Sequence, residues 1–280
     1  MHKRKGFTLI ELLVVISVIA LLMALLLPGL RRVRRQARAV VCQSNLSEWG
    51  MILALYTEDN QGRLAGAGGD VLWLLRGSSL SEDDPNRPSV YQDIDAKGIA
   101  CCPMAVRAGG HGGFGVFASW GGLSYWIEGT SGSTFEAWEI TSPLPPFRCS
   151  YGFNDCLFSL YFDTSTVPIG ARVRRDGLDI FSLRGRAKMP ALLDSEGPWV
   201  HNLSQHIPPP PGESVRGCCI NRHIGHVNGL FLDWSVRKVG LKELWTLKWH
   251  AGFDTAGPWT KAGGVQPEDW PRWMRGFKDY

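Results

Sequence analysis

His223 and Asp233, separated by nine residues, and Asp194 upstream are side chains whose types could do chemistry together. An imidazole with carboxylates suits either acid–base work or the binding of a borderline metal ion. No HExxH helix and no nucleophile elbow accompanies them, so neither role has a second motif behind it. A hydrogen bond from the histidine to backbone or to an aspartate, fixing a hairpin, is the favoured reading. The sequence is therefore read as offering no catalytic residue, no metal and no cofactor.

Glu11 is the other chemically conspicuous residue, because it lies inside the apolar run from Phe7 to Leu27. At about 1.5 Å per helical residue that run crosses a hydrocarbon core of about 30 Å. A carboxylate there costs on the order of 2.5–3.5 kcal/mol, so a partner or a function is expected for it. The basic residues Lys3, Arg4 and Lys5 and then Gly6 precede the run, as in a secretory signal. A signal peptide, however, has a shorter apolar core and a small-x-small cleavage site, where this chain has Pro28-Gly29-Leu30-Arg31-Arg32.

Lys5-Gly6-Phe7-Thr8-Leu9-Ile10-Glu11 resembles the processing and methylation site of type IV prepilins and type II secretion pseudopilins. The resemblance implies cleavage by a prepilin peptidase between Gly6 and Phe7, methylation of Phe7, and Glu11 as the fifth mature residue. It also implies a bacterial inner-membrane protein with a cytoplasmic N-terminus and a periplasmic head. Its partners would be the peptidase, other pilin or pseudopilin subunits, an inner-membrane assembly platform and membrane lipid. Physical chemistry points the same way, because cleavage creates an α-ammonium on Phe7 that is as costly in lipid as the Glu11 carboxylate. Paired between subunits, the two charges would set the axial register of a filament.

A second resemblance lies in Arg222 to Trp234, where His223 and Asp233 match the H-X9-DG pattern of a prepilin-type family of Planctomycetes- and Verrucomicrobia-like bacteria. Trp234 stands where that family has glycine. Since tryptophan resists the positive φ of a tight Asp-Gly turn, a different turn is expected between Leu230-Phe231-Leu232 and the return through Val236 and Val239. Cys42 and Cys102 also resemble cysteine positions of the family.

Seven cysteines are readily used as disulfides in an oxidising periplasm, and their odd number leaves at least one thiol free or paired between chains. Cys42 with Cys101 or Cys102 would tie the long helix to the head, and Cys149 with Cys156 would close a local loop. Cys218-Cys219 and Cys101-Cys102 lack the CxxC spacing of a zinc site.

These residues need elements to position them. Residues 1–6 read as a leader, 7–27 as a transmembrane and assembly helix, 28–62 as its soluble continuation, and 63–280 as one globular head. Past Pro28 the chain has no proline until after Tyr56, and Asn60-Gln61-Gly62 reads as the helix stop. Leu46, Trp49, Leu53 and Tyr56 form a stripe rotated from that of Val33, Ala37, Val40 and Val41, which suits packing on the head. Leu123 to Ile127, Leu157 to Phe162 and Pro190 to Asp194 read as strands, Gly109 to Gly122 as a loop, and Leu241 to Trp249 as a helix. The expected architecture is α+β and pilin-like, with a long helix on an antiparallel sheet.

The formal net charge of +4 includes the three cations of the leader, so no nucleic-acid partner is expected. Arg31, Arg32, Arg34, Arg35 and Arg38 would face lipid head groups, an acidic neighbour or solvent. Six of the twelve tryptophans lie from Trp234 onward. They serve either as an aromatic core or, in the rival reading of the chain as a membrane-anchored binding head, as a grip on carbohydrate or a protein partner.

Overall fold

The computed structural model describes residues 9–64, 98–120, 123–142, 146–158, 179–203, 206–215 and 217–280. Gly6 and Phe7 lie outside the described residues. Helix α1, Leu9–Asp59, is one unbroken element of 51 residues with Pro28 inside it, about 76 Å long at 1.5 Å per residue. It is long and apolar enough to cross a membrane, and residues 9–27 are all exposed.

From Ala39 onward α1 carries a buried stripe at spacings of three and four: Ala39, Cys42, Leu46, Trp49, Leu53 and Tyr56. That spacing keeps one face of a 3.6-residue helix toward the head. The helix ends where Asn60-Gln61-Gly62 begins. Gln61 and Gly62 turn left-handed, with φ of 57° and 81°, and the Gly62 N–H reaches the Thr57 carbonyl at 2.7 Å. These contacts satisfy carbonyls that the last turn would otherwise leave open.

Among the described residues the head holds two sheets. β1 (His111–Trp120), β2 (Leu123–Ser131), β3 (Trp138–Ser142) and β4 (Phe147–Cys149) form an antiparallel sheet in sequence order. β5 (Tyr151–Asn154), β6 (Pro190–Asp194), β7 (Trp199–Val200), β8 (His226–Phe231) and β9 (Val236–Gly240) form the second, in the order β7-β5-β6-β8-β9, with only β5 and β7 parallel. The chain is thus α+β, with a long N-terminal helix and antiparallel sheets in its head.

Alternation along the strands of the second sheet divides the core. Leu192 and Leu230 join the residues of α1, together with Trp138, Tyr151 and Phe153, on one side. Leu193, Val227 and Phe231 join Trp245, Trp249 and Trp270 on the other. Side chains of period two from one strand therefore serve both faces, as expected of a sheet covered twice. Trp245 meets Trp270 edge to face and Trp259 meets it at a tilt, with centroids 5.3 and 5.4 Å away. The C-terminal tryptophans Trp245, Trp249 and Trp270 are core, which removes them as a carbohydrate grip.

Three local expectations are corrected. The glycine-rich stretch read as a loop is strand β1, where the Trp126 ring occupies the space that a side chain at Gly115 would need. Leu157 belongs to a helical turn, Asp155–Phe158, not a strand; the rest of that run lies outside the described residues. The helix expected from Leu241 is a 3-10 turn, Lys242–Thr246; Leu247 is extended, and the Lys248 N–H bonds the Lys188 carbonyl at 3.1 Å.

Trp234 also departs from expectation. It adopts the left-handed conformation, φ 66°, that a glycine would take, so β8 and β9 keep a tight turn. Its N–H bonds the Phe231 carbonyl at 2.8 Å. The side chain packs on the core, its Cβ beside Gly50 of α1, and that packing offsets a backbone cost of about 1–2 kcal/mol.

Candidate functional site

Four polar side chains from four separate segments converge where α1 meets the head. Cys42 comes from the buried stripe of α1, Cys102 from the loop before β1, Asp194 from the end of β6, and His223 from the turn before β8. All four are buried, and one donor atom of each lies within 4.8 Å of all the others. Cys42 Sγ is 3.5 Å from Asp194 Oδ1. His223 Nε2 lies 3.5 Å from Cys102 Sγ and 3.1 Å from Asp194 Oδ2.

The fold dictates this meeting. β6 is buried along its whole length between β5 and β8, so the carboxylate at its end has no route to water. The Asn228 N–H donates to Asp194 Oδ2 at 2.8 Å. Asn228 also accepts from Gln43 Nε2 at 3.0 Å, which ties α1 to β8 beside the cluster. Cys102 is fixed by its backbone N–H, which donates to Ser150 Oγ at 2.6 Å.

Arg222 completes the arrangement. Its Nη1 donates to Asp194 Oδ1 at 3.1 Å and to the Ser150 carbonyl at 2.7 Å. Nε reaches the Thr134 carbonyl at 2.7 Å, and Nη2 reaches those of Ser133 and Ser195 at 3.2 and 2.9 Å. A buried guanidinium with its donors satisfied this way holds both sheets to the site.

Electrostatics follow from burial and contact. Burial alone would raise the Asp194 carboxyl, but His223, Arg222 and the Asn228 N–H hold it below its ordinary value. Burial would lower His223, yet its bonds to Asp194 and Cys102 lift it to about 9. Cys102 is drawn down to about 6 by the Cys42 hydrogen bond, against burial, with help from His223. Cys42 goes the other way, raised by burial and then by Cys102 and Asp194.

The geometry excludes one chemistry. In a nucleophile–histidine–acid relay the acid and the nucleophile occupy opposite ring nitrogens. Here Cys102 and Asp194 both face Nε2, while Nδ1 is buried with no hydrogen-bond partner among the described residues. The donors point at one another across a common centre and do not form a proton relay.

The sequence raised a convergence of His223, Asp233 and Asp194 as one possibility; in the structure His223 and Asp194 stand 3.1 Å apart. The fold does not bring Asp233 to them. Asp233 is exposed in the β8–β9 turn, where its Oδ1 accepts from the Ser235 N–H at 3.1 Å and the Ser235 hydroxyl at 2.6 Å. His223 and Asp233 flank opposite ends of β8, so one hydrogen bond cannot join them.

All seven cysteines are thiols. Cys42 and Cys102 share the cluster, whereas Cys101 Sγ points to the Arg148 carbonyl at 3.6 Å. The proposed Cys149–Cys156 loop is not formed. Cys149 lies in the core facing α1, and Cys156 packs on the other side of the second sheet. Arg222 was missed from the sequence, although an arginine adjoining His223 at the mouth of an apolar strand was a signal for a buried countercharge.

Glu11 lies in the first turn of α1, on its exposed half. One comparison with known proteins concerns this end of the chain. The family described as "Prokaryotic N-terminal methylation motif" matches residues 1–27. Over 60 residues the chain is 43% identical to the type IV wide pilus major component PilA4 of Thermus thermophilus. That stretch is 21% of this chain and 46% of the pilin, so the chain spans less than half the length of the curated relative it matches. No solved structure is significantly similar to the chain. The front of the long helix thus matches a prokaryotic methylation motif, and a 60-residue stretch of the chain is similar to a type IV pilin.

Proposed function

We propose that the chain is a structural pseudopilin or type IV pilin-like subunit, cut after Gly6 by a prepilin peptidase, methylated on Phe7 and built into a periplasmic filament of the type II secretion kind. The observation that carries this is the two-part character of α1. Residues 9–27 are apolar, exposed and interrupted by Glu11, while the stripe from Ala39 to Tyr56 is buried on the subunit's own head. An exposed apolar half-helix is stable only in lipid or among other such helices, and a filament whose core is a bundle of them provides the second. Membrane insertion with the head on the periplasmic side then precedes assembly. In this reading the head is structural and carries no catalytic residue.

Intact-mass and N-terminal analysis of the protein from its native membranes tests the reading. A chain beginning at methylated Phe7 is expected. Retained Met1, or cleavage beyond Leu27, overturns it.

A further inference from the structure

We propose that Cys42, Cys102, Asp194 and His223 bind one zinc ion, or a cation of similar chemistry, in a tetrahedral site that fixes the long helix to the head. The inference rests on the head's own geometry and stands whether or not the chain forms filaments.

Distances between the donors carry the argument. With metal–sulfur bonds of about 2.3 Å and metal–nitrogen or metal–oxygen bonds of about 2.0–2.1 Å, a tetrahedron has edges of about 3.5 Å between sulfur and nitrogen or oxygen, and about 3.3 Å between nitrogen and oxygen. With Asp194 Oδ2 as the carboxylate donor, the observed separations are 3.9 Å to Cys42 Sγ and 3.1 Å to His223 Nε2, and Cys102 Sγ lies 3.5 Å from His223 Nε2. These edges lie within about 0.4 Å of the tetrahedral values, and all four donors lie within 4.8 Å of one another, so small shifts would close a coordination shell. Convergence of thiol and carboxylate on the same ring nitrogen has the same meaning, since that nitrogen points to the centre and not along a relay.

Charge closes as well. Two thiolates and one carboxylate against a dication leave one negative charge, and the Arg222 guanidinium bonded to Asp194 supplies the balancing positive one. Binding deprotonates the thiols and releases their protons to solvent. Thiolate donors favour zinc over magnesium or calcium.

A disulfide between Cys42 and Cys102 is the competing use of the two thiols. It would account for neither the fully buried carboxylate nor the imidazole aimed at the same point. Access supports a structural site over an exchangeable one. The adjoining pocket of 590 Å³ is walled by Arg31, Arg32, Arg35 and Lys238, which repel a free cation. The ion therefore enters as the head folds around it, as in other closed zinc sites.

The test uses the full chain, produced in medium supplied with cobalt(II) alone and purified in detergent under reducing conditions. The expected result is about one cobalt per chain, with the visible bands of a tetrahedral site and thiolate-to-cobalt charge transfer in the near ultraviolet. X-ray absorption of the zinc-loaded chain should show mixed sulfur and nitrogen or oxygen neighbours. Cys42→Ser and Cys102→Ser should lower metal content by more than about tenfold, while Cys149→Ser, outside the cluster, should retain it. The wild-type spectra decide the matter even if a variant fails to fold. Wild-type chain without stoichiometric metal, a spectrum without thiolate ligation, or a metal-free Cys42–Cys102 disulfide mapped in protein from native membranes would each overturn the proposal.

Discussion

Arg222 Nη1 stands 3.1 Å from Asp194 Oδ1, and both side chains are wholly shielded from solvent. Truncating one partner strands the other charge in a low-dielectric interior. Asp194→Asn should therefore cost about 3–5 kcal/mol of stability, more than a surface ion pair could account for. Arg222→Lys keeps the charge but loses the fork that reaches Thr134, Ser133, Ser150 and Ser195, and about 2 kcal/mol or more should go with it. Denaturant midpoints of the full chain in detergent measure both. A loss under about 1 kcal/mol for Asp194→Asn would mean that this pair is not the brace described.

What was legible in the sequence is what repeats or punctuates. The three-and-four spacing of Leu46, Trp49, Leu53 and Tyr56 announced a packed helix face, and the helix stop was written in Asn60-Gln61-Gly62. The apolar run around Glu11 announced its own environment. The cluster was only half visible, because Cys42, Cys102, Asp194 and His223 are spread over 182 positions and meet only through strand order in the second sheet. Strand β1 escaped for a physical reason. Its glycines read as loop formers, but Gly115 is where the Trp126 ring needs room, and only the cross-strand register reveals that.

Trp234 provides a sharp local test. At φ 66° an alanine suffers the same clash of Cβ with its own carbonyl as tryptophan does, whereas glycine suffers none. Both substitutions lose the ring's packing against the core. Trp234→Gly should therefore exceed Trp234→Ala in stability by about 1 kcal/mol, reversing the usual ranking of the two residues. Thermal unfolding of the two variants side by side reads the difference. Equal midpoints, or alanine ahead, would show that the turn relaxes out of the left-handed conformation.

Gly50 allows α1 to approach the β8–β9 hairpin. A Cβ there would lie 2.9 Å from Leu230 Cδ1 and 3.5 Å from the Trp234 carbonyl oxygen. Alanine gains about 1 kcal/mol of helix propensity and loses a similar amount to crowding, so Gly50→Ala should be close to neutral. Gly50→Leu has no such compensation and should cost about 2–3 kcal/mol, lowering the thermal midpoint by several degrees. If leucine is tolerated as well as alanine, the helix is not held against the hairpin at this point.

Glu11 is the test of assembly itself. Its carboxylate in a bilayer costs on the order of 2.5–3.5 kcal/mol, and on the proposed reading that cost is offset when it meets the ammonium that cleavage creates on Phe7 of a neighbouring subunit. Glu11→Ala removes the cost and the register together. Insertion and cleavage should proceed as in the wild type, since the alanine helix is the more apolar of the two, while incorporation into filaments should fall sharply. Glu11→Gln keeps the shape and a hydrogen bond but not the charge, and should sit between them. Mass analysis of membrane protein reports processing, and the protein sheared from cells reports assembly. Separate outcomes in these two measurements are required, because a variant that is neither processed nor assembled has lost recognition by the peptidase, and one that does both normally shows that the pair does not set the register.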